Sequence, residues 1–543
     1  MKVYPWAAKI GVVGVSAFVL ALFAVHFVHP RADFPNFSPW MDYAKYTDEG
    51  WYGSAAVAYF VRGAWYVPGD FNPAVALPIW PFLEWILFHF TGVSLTGARF
   101  LAIAIFGGNL ALTYALVRTR APRWAGLLAL VIAASNAFLY CFSRLAILEP
   151  LLIFLMLLSW LLAIELPYVR RRWQRTAMLI TIGLLVCAMV LTKTTAIFLI
   201  PAVFYLLWSE SREGRFAFLG SWSVVTLAAA VPWLFYYLLV VRPRYLEDFR
   251  YLFTANVYTQ PSTVGGWLMA FWYSAHGVLW IDVTLALTAL ALVALSLVFF
   301  RGLWRDRLFT ASCIGCAGYL FFIGYHNNMQ PRYYQVVAFP LIIQVVLALH
   351  LLLRQRGAVR AVAGTAAVVA LAWTIFVNTR ETMWFAFHPQ YTFVNAAENL
   401  TRYVDQHPNR NRLLLSISGS NITLITGLPA ICDDFGTLDL PDRIRKYQPG
   451  WYAAWNELDP GTLEDLHTQY SLQQVANFPA YDDEDRDNLI LYKLTPLQQQ
   501  PPKPNKPRRS RRLPLGAEPG ESARIRRVKD FHVKGNPVGP VDR

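Results

Sequence analysis

The chain has 543 residues, 56% hydrophobic and 15% charged, and its 48 Lys and Arg against 34 Asp and Glu give a formal net charge of +14. That apolar excess excludes an ordinary soluble enzyme. Residues 496–543 carry twelve basic and four acidic side chains, supplying +8 of the total, so the basic balance reports a tail and several loops and not a nucleic-acid surface.

Apolar stretches long enough to cross a hydrocarbon core of about 30 Å recur from the N-terminus to about residue 379. About eleven spans are expected, in windows 8–28, 97–118, 123–142, 146–165, 176–192, 195–209, 217–241, 279–299, 308–325, 333–354 and 361–379. They should be helices, because only helices and closed barrels satisfy the backbone in lipid and these runs lack strand alternation. The first lacks a small-residue cleavage site and reads as an uncleaved anchor. Basic clusters at Arg118-Thr119-Arg120, Arg170 to Arg175, Arg212 to Arg215, Arg301 to Arg307 and Arg354 to Arg360 all follow even-numbered spans. The positive-inside rule places them in the cytoplasm, which leaves loop 29–96, loop 243–278, loop 325–332 and everything beyond 379 outside.

Loop 29–96 is too apolar for a free linker. Tyr52–Tyr66 and Leu77–Phe90 carry helical apolar faces with Trp65, Trp80 and Trp85, which predicts interfacial helices lying on the membrane. Just before them, Tyr46-Thr47-Asp48-Glu49-Gly50-Trp51-Tyr52 sets two adjacent acids at the lipid–water boundary. Ser143-Arg144-Leu145-Ala146-Ile147-Leu148-Glu149-Pro150 forms the next turn on that side, where Arg144 and Glu149 have the spacing of a salt bridge. Lys193, in Leu191-Thr192-Lys193-Thr194-Thr195, and Arg332-Tyr333-Tyr334 complete the set. Each alone has a bland reading as a loop acid, snorkelling lysine or interfacial anchor. Their convergence on one membrane face does not.

The five cysteines offer no disulfide framework, and Cys313-x-x-Cys316 within an apolar helix reads as two packing residues. No P-loop or dinucleotide fingerprint is present, which removes the main support for ATP-driven transport. Residues 380–495 return to a soluble balance. Extended runs at Arg412–Ile417 and Asn488–Leu494 and helical patterns at Tyr391–Gln406 and Gly461–Tyr470 predict a small extracytoplasmic α/β domain. From Pro496 the Pro-, Gln- and Arg-rich composition predicts a disordered tail. The chain thus divides into a membrane domain over 1–379, an outer α/β domain over 380–495 and a tail over 496–543.

A carboxylate facing fixed cations at the mouth of a helical bundle suits transfer of a sugar from a lipid phosphate. The carboxylate can take the proton of an attacking hydroxyl while Arg and Lys neutralise the departing phosphate. These residues resemble the GT-C membrane glycosyltransferases, in the family 39-like branch of protein O-mannosyltransferases and lipid A aminoarabinose transferases. The resemblance covers residues 1–380 in layout and rests on Asp48-Glu49, the 143–150 turn, Thr192-Lys193 and Pro331-Arg332-Tyr333-Tyr334 with Pro340 downstream.

The resemblance implies a GT-C-like polytopic helical fold, a polyprenyl-phosphate sugar donor and inversion at the anomeric carbon. It implies Asp48 as catalytic residue with Glu49 beside it; the convergence of Arg144, Lys193 and Arg332, with Tyr333, on the outer face makes these the expected donor-phosphate clamp. Such enzymes usually carry Asp in the Arg-x-x-x-x-Asp pattern, whereas this chain has Glu149, a supporting acid one methylene longer. The acceptor is a protein, lipid or polysaccharide. No metal site is indicated, although a divalent ion is compatible with the class. Two alternatives are an oligosaccharyl transferase-like enzyme with a diphosphate-linked donor, which lacks a Trp-Trp-Asp-type motif here, and a polytopic transporter, for which no internal repeat speaks.

Overall fold

The computed structural model describes residues 5–209, 216–254, 261–326, 329–358, 360–456, 458–480 and 486–497. The tail expected to be disordered lies outside them, apart from its first two residues. Every expected apolar window contains a helix. Among the described residues seven helices are long and apolar enough to cross a membrane, and up to nine spans result if two bent pairs each count as one. Gly11–Val25 and Thr194–Ser209 are shorter apolar helices, so length and composition support fewer than the expected eleven.

The bends have local causes. Asn136 takes extended backbone between Arg123–Ser135 and Ala137–Ser143, and its side chain accepts from Leu139 N at 2.8 Å, starting a new helix 65° off the first. Asn378 accepts from Ala137 N at 3.0 Å and donates to Asp282 Oδ2 at 2.7 Å. Asp282 in turn caps Val283–Phe299 through Leu285 N, where the second bend reaches 119°. One polar knot therefore fastens both breaks to the Thr365–Phe387 helix. That helix runs past the expected end at 379, through Arg380 and Glu381, and stops at His388, whose position before Pro389 disfavours helical backbone.

Tyr334–Leu352 is apolar all round and buried along nearly its whole length, as the central helix of a bundle must be. Leu95–Arg118, Arg123–Ser135, Leu148–Glu165, Val283–Phe299 and Arg307–His326 pack around it. Two helices form within loop 29–96, Asp48–Arg62 and Ile79–Thr91, and they pack against each other.

Beyond the bundle, β1 (Leu414–Leu415), β2 (Ala430–Ile431), β3 (Trp451–Trp455), β4 (Tyr470–Pro479) and β5 (Asn488–Pro496) form one sheet in the order β2-β1-β3-β5-β4. β1 pairs in parallel with β2 and β3, and β5 runs antiparallel between β3 and β4. The Gly419–Thr426 helix connects β1 to β2 and packs directly on Asp48–Arg62. Contact is close: Gly50 N donates to Asn421 Oδ1, Trp51 Nε1 donates to Ile417 O at 3.2 Å, and Arg62 donates to Ala430 O. At the other end of the first loop, Asp33 accepts from Phe393 N at 2.8 Å and Val394 N at 3.2 Å, capping Thr392–Gln406.

Candidate active site

Asp48 and Glu49 are not loop residues but the first turn of the Asp48–Arg62 helix, and both are buried. Neighbours on a helix project about 100° apart, so the pair splits. Asp48 turns toward Arg332, whose Nε lies 2.9 Å from Oδ2 in an ion pair without the alignment of a hydrogen bond. Glu49 turns toward Arg99 instead, in a bidentate pair of 2.8 and 2.7 Å, and also accepts from Ala146 N at 2.9 Å. Arg99 donates further to the carbonyls of Pro30 and Ala32 at 2.9 and 2.5 Å. Glu49 therefore ties its helix to the chain entering the loop and to the 143–150 turn.

Arg332 sits in a short turn, Pro331–Tyr333, that leads into the central helix and fixes its position. Asp42 grips it twice, pairing with Nη1 and accepting from the backbone N at 2.9 Å. The Arg332 and Lys193 cations lie 4.8 and 4.0 Å from the centre of the Tyr333 ring. Lys193 also pairs with Glu149. The two meet because Glu149 opens Leu148–Glu165 while Lys193 closes the neighbouring Arg172–Thr192 helix with extended backbone. A carboxylate at a helix N-terminus and an ammonium at a C-terminus are each favoured by the helix dipole. Pro150 falls in that first turn, where its missing N–H costs no helix bond.

Burial pushes the Asp48 carboxyl up to about 6; Arg332 pulls it down, Asp42 and Glu149 push it up, and Lys193 pulls it down. Asp48 is thus mostly ionised at neutral pH yet basic enough to take a proton. Burial and the Asp48 charge raise the Tyr52 phenol well above its ordinary value, so it is a neutral donor one turn along the same helix. Glu84, on Ile79–Thr91, is fully buried with neither oxygen hydrogen-bonded; burial pushes its carboxyl well up, with Trp80 pulling down and Glu49 pushing up.

Asp48, Glu149, Lys193, Arg332 and Tyr333 therefore converge. Arg144 does not join them. Its Nη1 donates to Tyr140 Oη and its Nη2 to the carbonyls of Val28 and His29 at 2.9 and 2.6 Å, so the sequence-expected bridge to Glu149 is replaced by the Lys193–Glu149 pair. Geometrically it is a clasp on the end of the first helix. Sequence reasoning passed over Asp42, Tyr52, Arg99 and Glu84. Asp42 and Arg99 were open to notice, the first as an acid six residues before Asp48 and the second as a charge inside an apolar run. Among the described residues no three His, Cys, Asp or Glu side chains gather as a metal site.

A family model described as dolichyl-phosphate-mannose-protein mannosyltransferase matches residues 73–236, a stretch holding Arg144, Glu149 and Lys193. No curated protein sequence matches. Among solved structures, ArnT from Cupriavidus metallidurans in the apo state is 15% identical with a TM-score of 0.59, over 90% of this chain and 98% of that one. The same protein bound to undecaprenyl phosphate gives 15% and 0.58 over the same shares. The oligosaccharyltransferase of Archaeoglobus fulgidus is 12% identical with a TM-score of 0.48, over 83% of this chain and 70% of that one. The chain has the GT-C fold of membrane glycosyltransferases, as a multi-pass helical protein with a small C-terminal sheet.

Proposed function

We propose that this GT-C chain is an integral membrane glycosyltransferase that moves a sugar from a polyprenyl-phosphate donor to an acceptor hydroxyl on the extracytoplasmic face, with inversion. The observation that carries the reading is the buried Asp48 carboxylate held against Arg332 at 2.9 Å, beside the Lys193–Glu149 pair. A lipid-phosphate sugar with an acceptor alcohol supplies this site with a departing phosphate for Arg332 and Lys193 to neutralise and a proton for Asp48 to take. The ArnT complex with undecaprenyl phosphate supports a polyprenyl-phosphate partner.

In the reaction, Asp48 removes the acceptor O–H proton as the oxygen attacks the anomeric carbon from the face opposite the phosphate. The new glycosidic bond forms as the bond from the anomeric carbon to the phosphate oxygen breaks, and that electron pair leaves on the lipid phosphate. Arg332 and Lys193 neutralise the charge gathering there. Tyr333 holds both cations against its ring, Glu149 holds Lys193, and Glu49 fixes the helix turn that presents Asp48.

The test is incorporation of label from a radiolabelled polyprenyl-phosphate sugar into an envelope fraction by membranes containing the chain, with Asp48→Asn beside it. Label transferred by the parent and not by the variant is expected. Equal incorporation by both removes Asp48 from the chemistry. Orientation is tested separately: a Phe37→Cys label should react from outside and an Arg171→Cys label should not, since both positions are exposed. Reversed labelling would put the site on the cytoplasmic face.

A further inference from the structure

We propose that Asp42 is a positioning residue that divides the charge of Arg332 between two carboxylates and so sets the pH range in which Asp48 accepts a proton. The inference rests on the reading of Asp48 as general base. Asp42 is buried and opens the turn Tyr43–Lys45, accepting from Ala44 N at 2.8 Å. Its Oδ1 also pairs with Arg332 Nη1, and its Oδ2 accepts from the Arg332 backbone N at 2.9 Å. One carboxylate thus holds both the side chain and the main chain of the arginine. Asp48 receives only Nε, at 2.9 Å and misaligned.

Two buried acids share one cation here, and the one with more and better-aligned hydrogen bonds holds the larger share of it. Asp42 is that one. The other groups acting on Asp48 are Thr47, whose hydroxyl donates to Oδ1 at 3.2 Å, Tyr52 on its own helix, Glu149 and Lys193 from the two neighbouring helix ends, and Tyr333 beside Arg332. None of these binds Arg332 through two points as Asp42 does. With Asp42 in place, Asp48 keeps a basicity that full pairing with Arg332 would abolish.

Replacing Asp42 by Asn removes a like charge and leaves Arg332 to Asp48. The readout is the infrared carboxyl band of purified full-length protein, assigned to Asp48 by its loss in Asp48→Asn and followed against pH. Asp42→Asn should lower the midpoint by about 1 pH unit. Asp42→Ser, which can still cap the turn, should do the same and serves if the Asn variant does not fold. In an Arg332→Gln background the same substitution should produce a clearly smaller shift, because the arginine through which Asp42 acts is gone. An unmoved or raised midpoint overturns the proposal, as does an equal shift in both backgrounds, which would mean that Asp42 acts by direct repulsion or by loosening the site and not through Arg332. Failure of the wild-type protein to transfer label would overturn the glycosyltransferase reading while leaving this band measurable.

Discussion

Lys193→Met should destabilise the protein through its partner more than through the lost lysine. The ammonium and the Glu149 carboxylate are both shut from solvent, with side-chain exposures of 7% and 0%, and Glu149 Oε2 has no hydrogen bond. Removing Lys193 therefore strands a buried carboxylate, a loss of about 3–5 kcal/mol. Glu149→Gln should cost less, since the Tyr333 ring 4.0 Å from the ammonium retains about 0.5–2 kcal/mol of attraction for it. The double variant carries neither charge and should recover to within about 1 kcal/mol of the parent. Inactivation half-life at a fixed temperature in detergent reads this order, parent and double variant longest, Glu149→Gln next and Lys193→Met shortest. Label transfer should stay low in the double variant, separating stability from donor use. A double variant no more durable than Lys193→Met would refute the buried-pair argument.

Asp48→Asn should lower transfer by about 10²–10⁴-fold with the fold intact, checked by initial rates against a thermal melt. Because Asp48 is raised to about 6, the rate should climb as pH rises through about 6. Its stability effect has the opposite sign: a carboxyl raised above its unfolded value favours the folded state when protonated, and that contribution is lost as pH rises through about 6. Glu49→Gln should shorten the inactivation half-life more than it alters the pH profile, since Glu49 pairs with Arg99. Glu84→Gln should cost little stability, because burial pushes the Glu84 carboxyl well up, toward the uncharged form that Gln matches; a large loss would mean that Glu84 is ionised in the fold. Gly50→Ala should destabilise, since an added Cβ would stand 2.2 Å from Asn421 N, and unchanged melting would show that the contact yields.

The membrane layout was legible because lipid leaves the backbone few choices, and length with apolarity states that choice in the sequence. Lys193, Glu149 and Arg332 stood out for the same reason, as charges where charge is costly. The start of the Asp48–Arg62 helix was hidden. Gly50 and Gly53 lower its helix propensity, and both are glycines because other parts of the chain press on them: Asn421 on the first and Glu84 on the second. Their partners lie far along the sequence, so no local window could reveal the reason. Asp42 could be noticed as an acid near Asp48, but its role could not, since the arginine it holds lies 290 positions away. In the sheet, the ends of the pattern were readable at β1 and β5, but β4 is polar and largely uncovered and carries no clean alternation to find.

Where parallel strands connect through helices to opposite sides of a middle strand, the crevice at their carboxyl ends is the usual place for a ligand. Here the crevice beyond β1 and β3 is already taken. Trp51 reaches Ile417 O from the Asp48–Arg62 helix, Tyr46 packs against Trp455, and Trp455 donates to Ser418 Oγ at 2.9 Å. The first loop is thus the permanent guest of the sheet, and the two must be inherited as a set. A chimera that imports residues 414–496 from another protein without a matching loop would leave both a vacant crevice and an unsupported Asp48, whereas exchanging loop and sheet together would carry the site across whole.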